Sequence, residues 1–90
     1  MMVDSQPPEI TGCPDDISTT TEIGTSGIIV NWPRPQATDQ TGVSETTVSH
    51  GPGTMFSVGT NDVAYIFRDP SGNTATCTFS VTVETGWLSL

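Results

Sequence analysis

The sequence contains no lysine. Arg34 and Arg68 are its only permanently charged cations, set against ten aspartates and glutamates, for a formal net charge of −8. A surface so biased repels phosphate backbones and anionic membranes. Nucleic-acid binding is thereby excluded as a function class, while basic partners and divalent cations stay compatible. Histidine is scarce too. His50 is the sole imidazole, it adjoins Gly51-Pro52-Gly53, and no nucleophile–base pairing surrounds it, so no enzyme is expected. One histidine and two cysteines are also too few for a four-ligand structural zinc site. No apolar run approaches the ~20 residues that cross a bilayer, so membrane insertion is not expected. Asn31, Asn61 and Asn73 all lack the Ser or Thr two positions on that N-glycosylation requires. Runs of Ala, Leu, Glu and Lys are missing, which removes the long helix and leaves an all-β class.

What is present is concentrated. Only 33% of the 90 residues are hydrophobic, enough for one domain with a modest core. The clearest stretch is Asp62 to Glu84. Val63, Tyr65 and Phe67 alternate with Ala64, Ile66 and Arg68. Beyond a turn at Asp69-Pro70-Ser71-Gly72-Asn73, Ala75, Cys77, Phe79, Val81 and Val83 alternate with Thr74, Thr76, Thr78, Ser80 and Thr82. A period of two is that of a strand with one apolar face and one wet face. Pro70 presets φ for a turn, Gly72 or Asn73 can take positive φ, and the Asp69 side chain can bond back to the turn amides. A hairpin with one apolar face needs another sheet to cover it.

The remaining segments supply that sheet. Short strands are expected at Glu9–Thr11, from Ile17 to Ile23 as a continuation of the same edge, from Gly27 to Trp32, from Val43 to His50 with Thr46 and Val48 inward, and from Met55 to Val58 with Phe56 and Val58 buried. Residues 36–42 read as a polar loop and residues 59–62 as a turn. Trp32, the largest apolar side chain of the interior strands, is expected at the core centre with Tyr65 and Phe79 near it. This gives a two-sheet antiparallel β-sandwich of about seven strands, of immunoglobulin or fibronectin type III kind. An odd count puts the two termini at opposite ends. Residues 1–6 read as a disordered lead-in, 7–84 as the domain, and 85–90, including Trp87, as a linker or tail. Cys13 and Cys77 allow two readings: a disulfide tying the N-terminal segment to the last strand, or two buried thiols.

A set of short motifs in fixed order goes further. Pro7-Pro8-Glu9-Ile10 is followed by Cys13-Pro14, then Val30-Asn31-Trp32 with Pro35, then Ala37-Thr38-Asp39 with Gly42. Ser49-His50 with Pro52-Gly53 comes next, then Phe56 with Val58-Gly59. The set ends in Asp69-x-Ser71-Gly72-Asn73-x-Ala75-x-Cys77-x-Phe79-x-Val81-x-Val83. Over residues 7–84 the chain resembles the HYR domain, the hyalin repeat. The resemblance implies an extracellular sandwich, one repeat among others in a larger protein, associated with cell adhesion and matrix. It carries no catalytic residues to transfer. Cys13 and Cys77 match the family's cysteine positions, which favours the disulfide and an oxidising compartment.

The candidate function is therefore an extracellular protein-interaction module that meets a protein partner or cell-surface receptor, with a structural spacer between neighbouring domains as the alternative. Recognition residues tend to sit on loops held by a scaffold. Here the loop from Pro33 to Gly42 and the turn from Asp69 to Asn73 are expected at one end of the sandwich, offering Arg34, Asp39, Gln40, Asp69 and Asn73 as exposed polar groups. No cofactor is expected. Calcium is the one cation with oxygen donors in suitable places, at Asp15, Asp16, Asp39 and Asp69 in turns and at Asp4, Glu9 and Asp62 near strand ends. Isolated turn aspartates more often satisfy their own backbone.

Overall fold

The computed structural model describes residues 6–86 and contains eight strands. They are β1 (Glu9–Thr11), β2 (Ile17–Thr20), β3 (Gly27–Val30), β4 (Gln36–Thr38), β5 (Glu45–Val48), β6 (Thr54–Ser57), β7 (Gly59–Arg68) and β8 (Thr74–Glu84). A four-stranded sheet runs in the order β2-β8-β7-β5. Two short pairs, β1-β4 and β3-β6, make up the rest of the ladder structure. The arrangement is sandwich-like and consistent with an immunoglobulin-like fold.

The β7–β8 hairpin is the frame. Its register runs from Gly59↔Val83 to Arg68↔Thr74, so the two apolar alternations fall on the same face. Val63, Tyr65, Phe67, Cys77, Phe79, Val81 and Val83 are all buried, and the Thr and Ser residues between them face outward or sit at partly covered positions. The turn closes as its residues dictate. Gly72 takes φ +90°, a region where a side chain would be strained. Its N–H donates to the Asp69 carbonyl at 3.1 Å, and the Asp69 N–H donates to Asn73 O at 3.0 Å.

The facing pairs complete the core. Val30, Trp32 and Phe56 join the seven hairpin residues in one buried cluster, with Ile10, Ile17, Ile28, Ala37 and Val43 packed against it. Trp32 sits where its size requires. Its ring meets Phe79 edge-on at 5.2 Å and Phe56 at 5.9 Å, and its Nε1–H donates to the Tyr65 hydroxyl at 2.9 Å. The indole N–H therefore has the partner that burial demands.

Several expectations need correction. Gln36–Thr38 is a strand paired to β1, not part of a loop. The Ile17 segment is not a second piece of the β1 edge: β1 pairs with β4, whereas β2 pairs parallel to β8 in the other sheet, from Ile17↔Val81 to Thr20↔Glu84. The chain thus crosses between layers at Gly12–Asp16. Residues 59–62 extend β7. Val58 is 44% exposed, because the chain bends between β6 and β7, where Gly59 adopts φ +127°. Val48 shares a face with buried Tyr65, its register partner, yet is 37% exposed. Every residue of β5 is exposed, so no second layer covers that strand.

The two ends of the described chain lie at opposite poles, but not through an odd strand count. At one pole, Asn73 Nδ2 donates to Gln6 O at 3.4 Å. At the other, beyond the eleven-residue β8, the Thr21 N–H donates to Glu84 O at 2.9 Å and the Gly86 N–H to Thr21 Oγ1 at 3.1 Å. The parallel β2–β8 pairing sets this geometry, because β2 and β8 run toward the same pole. Gly86 lies so close to Thr21 that an added Cβ would collide with the Thr21 carbonyl oxygen.

Candidate functional site

The pole that receives Gln6 holds most of the polar loop residues. Asp39 follows β4 and shapes its own loop: Oδ1 accepts the Thr41 N–H at 3.0 Å and the Thr41 hydroxyl at 2.8 Å, and Asp39 O accepts the Gly42 N–H at 3.0 Å. This local capping is the usual work of a turn aspartate. The loop then enters β5, where the Ser44 N–H donates to Arg68 O at 2.8 Å and its hydroxyl to the same oxygen at 3.1 Å. Those bonds bring the Asp39 loop beside the 69–73 turn.

That turn is built on a buried carboxylate. Asp69 is 1% exposed. Its Oδ1 accepts the Asn73 backbone N–H at 2.8 Å and its Oδ2 accepts Asn73 Nδ2 at 3.0 Å. Asn73 is half-buried and passes its amide on to Gln6. Asp69 is therefore no exposed contact residue; it is the internal brace of the turn, as expected of its backbone-bonding role but not of its assignment to the surface. Gln6, Pro7, Glu9, Thr38, Asp39 and Gln40 line an open hollow of about 400 Å³ at this pole. Gln40 is exposed and Asp39 half-buried.

Arg34 is exposed but stands apart. It precedes β4, whereas Asp39 and Gln40 follow it. Three extended residues, about 10 Å of strand, separate the two positions. Of the five polar candidates, the pole brings together Asp39, Gln40, Asn73 and Asp69, the last beneath the surface, and leaves out Arg34.

Cys13 and Cys77 are bonded, with Cα atoms 5.8 Å apart. The bond fastens the interlayer crossing to the buried face of β8. Asp16 secures the same crossing, its Oδ1 accepting the Ser80 N–H at 2.8 Å, and Asp62 Oδ1 accepts the Ser80 hydroxyl at 3.3 Å. From the sequence Asp16 reads as a turn residue and a candidate calcium donor, and its position just ahead of a strand was the available signal for the role seen here. His50 packs its ring 5.3 Å from Phe56 and meets Ser49 Oγ at 3.0 Å, while that hydroxyl also accepts the Ala64 N–H. Among the described residues no three His, Cys, Asp or Glu side chains converge as a metal-binding group. Asp4 and Trp87 lie outside the described residues.

Comparison with known proteins agrees on one grouping. The family model described as HYR domain matches residues 3–83. The chain is 48% identical over 82 residues to hyalin of Lytechinus variegatus and 40% identical over 82 residues to hyalin of Strongylocentrotus purpuratus. Each alignment covers 90% of this chain, but 16% and 7% of the respective relative. It is 35% identical over 83 residues to the sushi, von Willebrand factor type A, EGF and pentraxin domain-containing protein 1 of Rattus norvegicus, covering 89% of this chain and 2% of that protein. The chain thus spans a small part of the length of each of these relatives. No solved structure matches it.

Proposed function

The chain belongs to the HYR-domain family, and on that premise we propose that it is an extracellular protein-interaction module contributing to cell adhesion or matrix binding within a larger protein. On this reading residues 7–84 are the module and residues 85–90 a linker or tail. The Cys13–Cys77 bond suits an oxidising compartment. The observation that carries the reading is the pole formed by Gln6, Glu9, Asp39, Gln40 and Asn73, a polar loop cluster fixed by the 69–73 brace and open as a hollow. Its acidic residues, on a chain of net charge −8, favour a protein partner with a basic surface. The outer strand faces are rich in Thr and Ser, which stay well hydrated. A chemical-shift titration with a matrix or cell-surface protein tests this: shifts at Asp39, Gln40 and Asn73 support the pole, and shifts confined to the outer faces of β7 and β8 refute it.

A second reading has its own observation. Gln6 and Gly86 lie at opposite poles, which suits a spacer holding other domains apart. It predicts a folded module whose polar loops are indifferent to every partner and to substitution at Asp39 and Gln40.

A further inference from the structure

We propose that the module is a load-bearing link in which tension between its ends is carried by the Cys13–Cys77 bond and bypasses the folded body. The proposal rests on the chain's place within a longer extracellular protein, since only then are both ends pulled. The route follows from the topology. Force arriving at Gln6 passes along β1 to Cys13, crosses the disulfide to Cys77, and leaves along β8 to Gly86. β1 and β8 run in the same sense, because β1 leads from the pole of Gln6 and Asn73 while β8 leads from that pole to Thr21 and Gly86. Both are already extended, so there is little slack on the path.

Everything from Pro14 to Thr76 lies off the route. That span includes β2 through β7, with Trp32, Phe56, Val63, Tyr65 and Phe67 of the core. The bond precedes β2 by a few residues, and this placement decides which contacts feel the load. Without it, tension would pull β2 by its N-terminal end and β8 by its C-terminal end, shearing the parallel ladder from Ile17↔Val81 to Thr20↔Glu84. With it, no tension enters β2. The redox state of one bond therefore sets how far the module can stretch. A thiolate that attacks one sulfur forms a mixed disulfide and expels the other cysteine as a thiolate, and the tension then falls on the β2–β8 ladder.

Single-molecule force spectroscopy on the full chain, held between two marker domains fused at its ends, tests this. The oxidised module is expected to show no long extension step before the marker domains unfold. Dithiothreitol added under constant force is expected to release a step of ~220 Å, the 64-residue separation at about 3.3–3.6 Å per residue. The rate of that step should rise with both thiol concentration and force. A reduction rate independent of force would overturn the proposal, because the bond would then carry no load. So would a step of that length in protein whose mass shows the bond intact. The readout needs no partner, so failure to bind any matrix protein would count against the interaction reading and leave this one standing. The Cys13→Ser, Cys77→Ser double variant should extend without reductant. If it does not fold, reduction of the native protein under load decides alone.

Discussion

The β7–β8 hairpin joins ten consecutive residue pairs in one register, whereas β1–β4 joins three and β3–β6 four. The hairpin sets its own pairing: long alternation, a five-residue turn braced by Asp69, and seven buried side chains on one face. The short pairs have no such autonomy. Proline interrupts the chain between β3 and β4, and a two-stranded pair is at best marginally stable alone. They are held by anchors instead: Trp32 and Phe56 against the hairpin, and the disulfide beside β1. One half of the sandwich is specified by repetition, the other by a few irreplaceable residues.

The sharpest way to break this contrast is to remove an anchor. Trp32→Ala should cost about 3–5 kcal/mol, since it empties the space between the layers and strips the Tyr65 hydroxyl of its donor. Urea denaturation measures it, and a loss below about 1 kcal/mol would mean that the short pairs hold themselves. Removing the disulfide by the double Cys→Ser change should cost roughly 2–5 kcal/mol in the same assay. Weakening the hairpin's own brace should matter less. Asp69→Ala removes the two carboxylate oxygens that accept from the Asn73 backbone and side-chain amides and should cost about 1–3 kcal/mol, with the Gln6 resonance shifting as Asn73 is no longer held by Asp69. Gly72→Ala, at φ +90°, should cost about 1 kcal/mol, visible as a lowered Tm. At the bottom of the scale, Met55→Gln should stay within about 0.5 kcal/mol, because Met55 is 66% exposed and lies across from exposed Ile29 on the outer face.

The same contrast explains what the sequence made legible. Alternation located the hairpin from Val63 to Arg68 and from Thr74 to Glu84 but not its first residues, 59–62, and size alone marked Trp32. The HYR motifs and both cysteines were visible as an ordered set. Gln36–Thr38 was not legible as a strand, because three residues with one alanine show no period and its only signal is β1 lying opposite. Val48 and Val58 alternate correctly but are not covered, and coverage depends on how far the other layer reaches. At the candidate site, loop order grouped Asp39 and Gln40 with the 69–73 turn, and both line the hollow beside Gln6, Asp39 half-buried rather than exposed. Asp69 was assigned to the surface because a turn position suggests exposure, while its own hydrogen bonds draw it inward. Arg34 was grouped by loop membership, and the unforeseen strand β4 separates it from the rest.

The parallel pairing of β2 with β8 also orders the events of synthesis. Contacts between residues distant in sequence are slow to form, since the intervening chain must first be gathered in. On a growing chain β1–β4 and β3–β6 can pair as soon as each second member emerges. β2 cannot, because its partners Val81 to Glu84 are among the last residues of the module to be made. Until then, β2 lacks its β8 partner, and Cys13 stays a thiol until Cys77 follows late in the chain. A nascent chain halted before Val81 would leave both sides of β2 open to its neighbours on the same messenger; completion of the final strand closes one side and leaves β2 as the outer strand of the sheet.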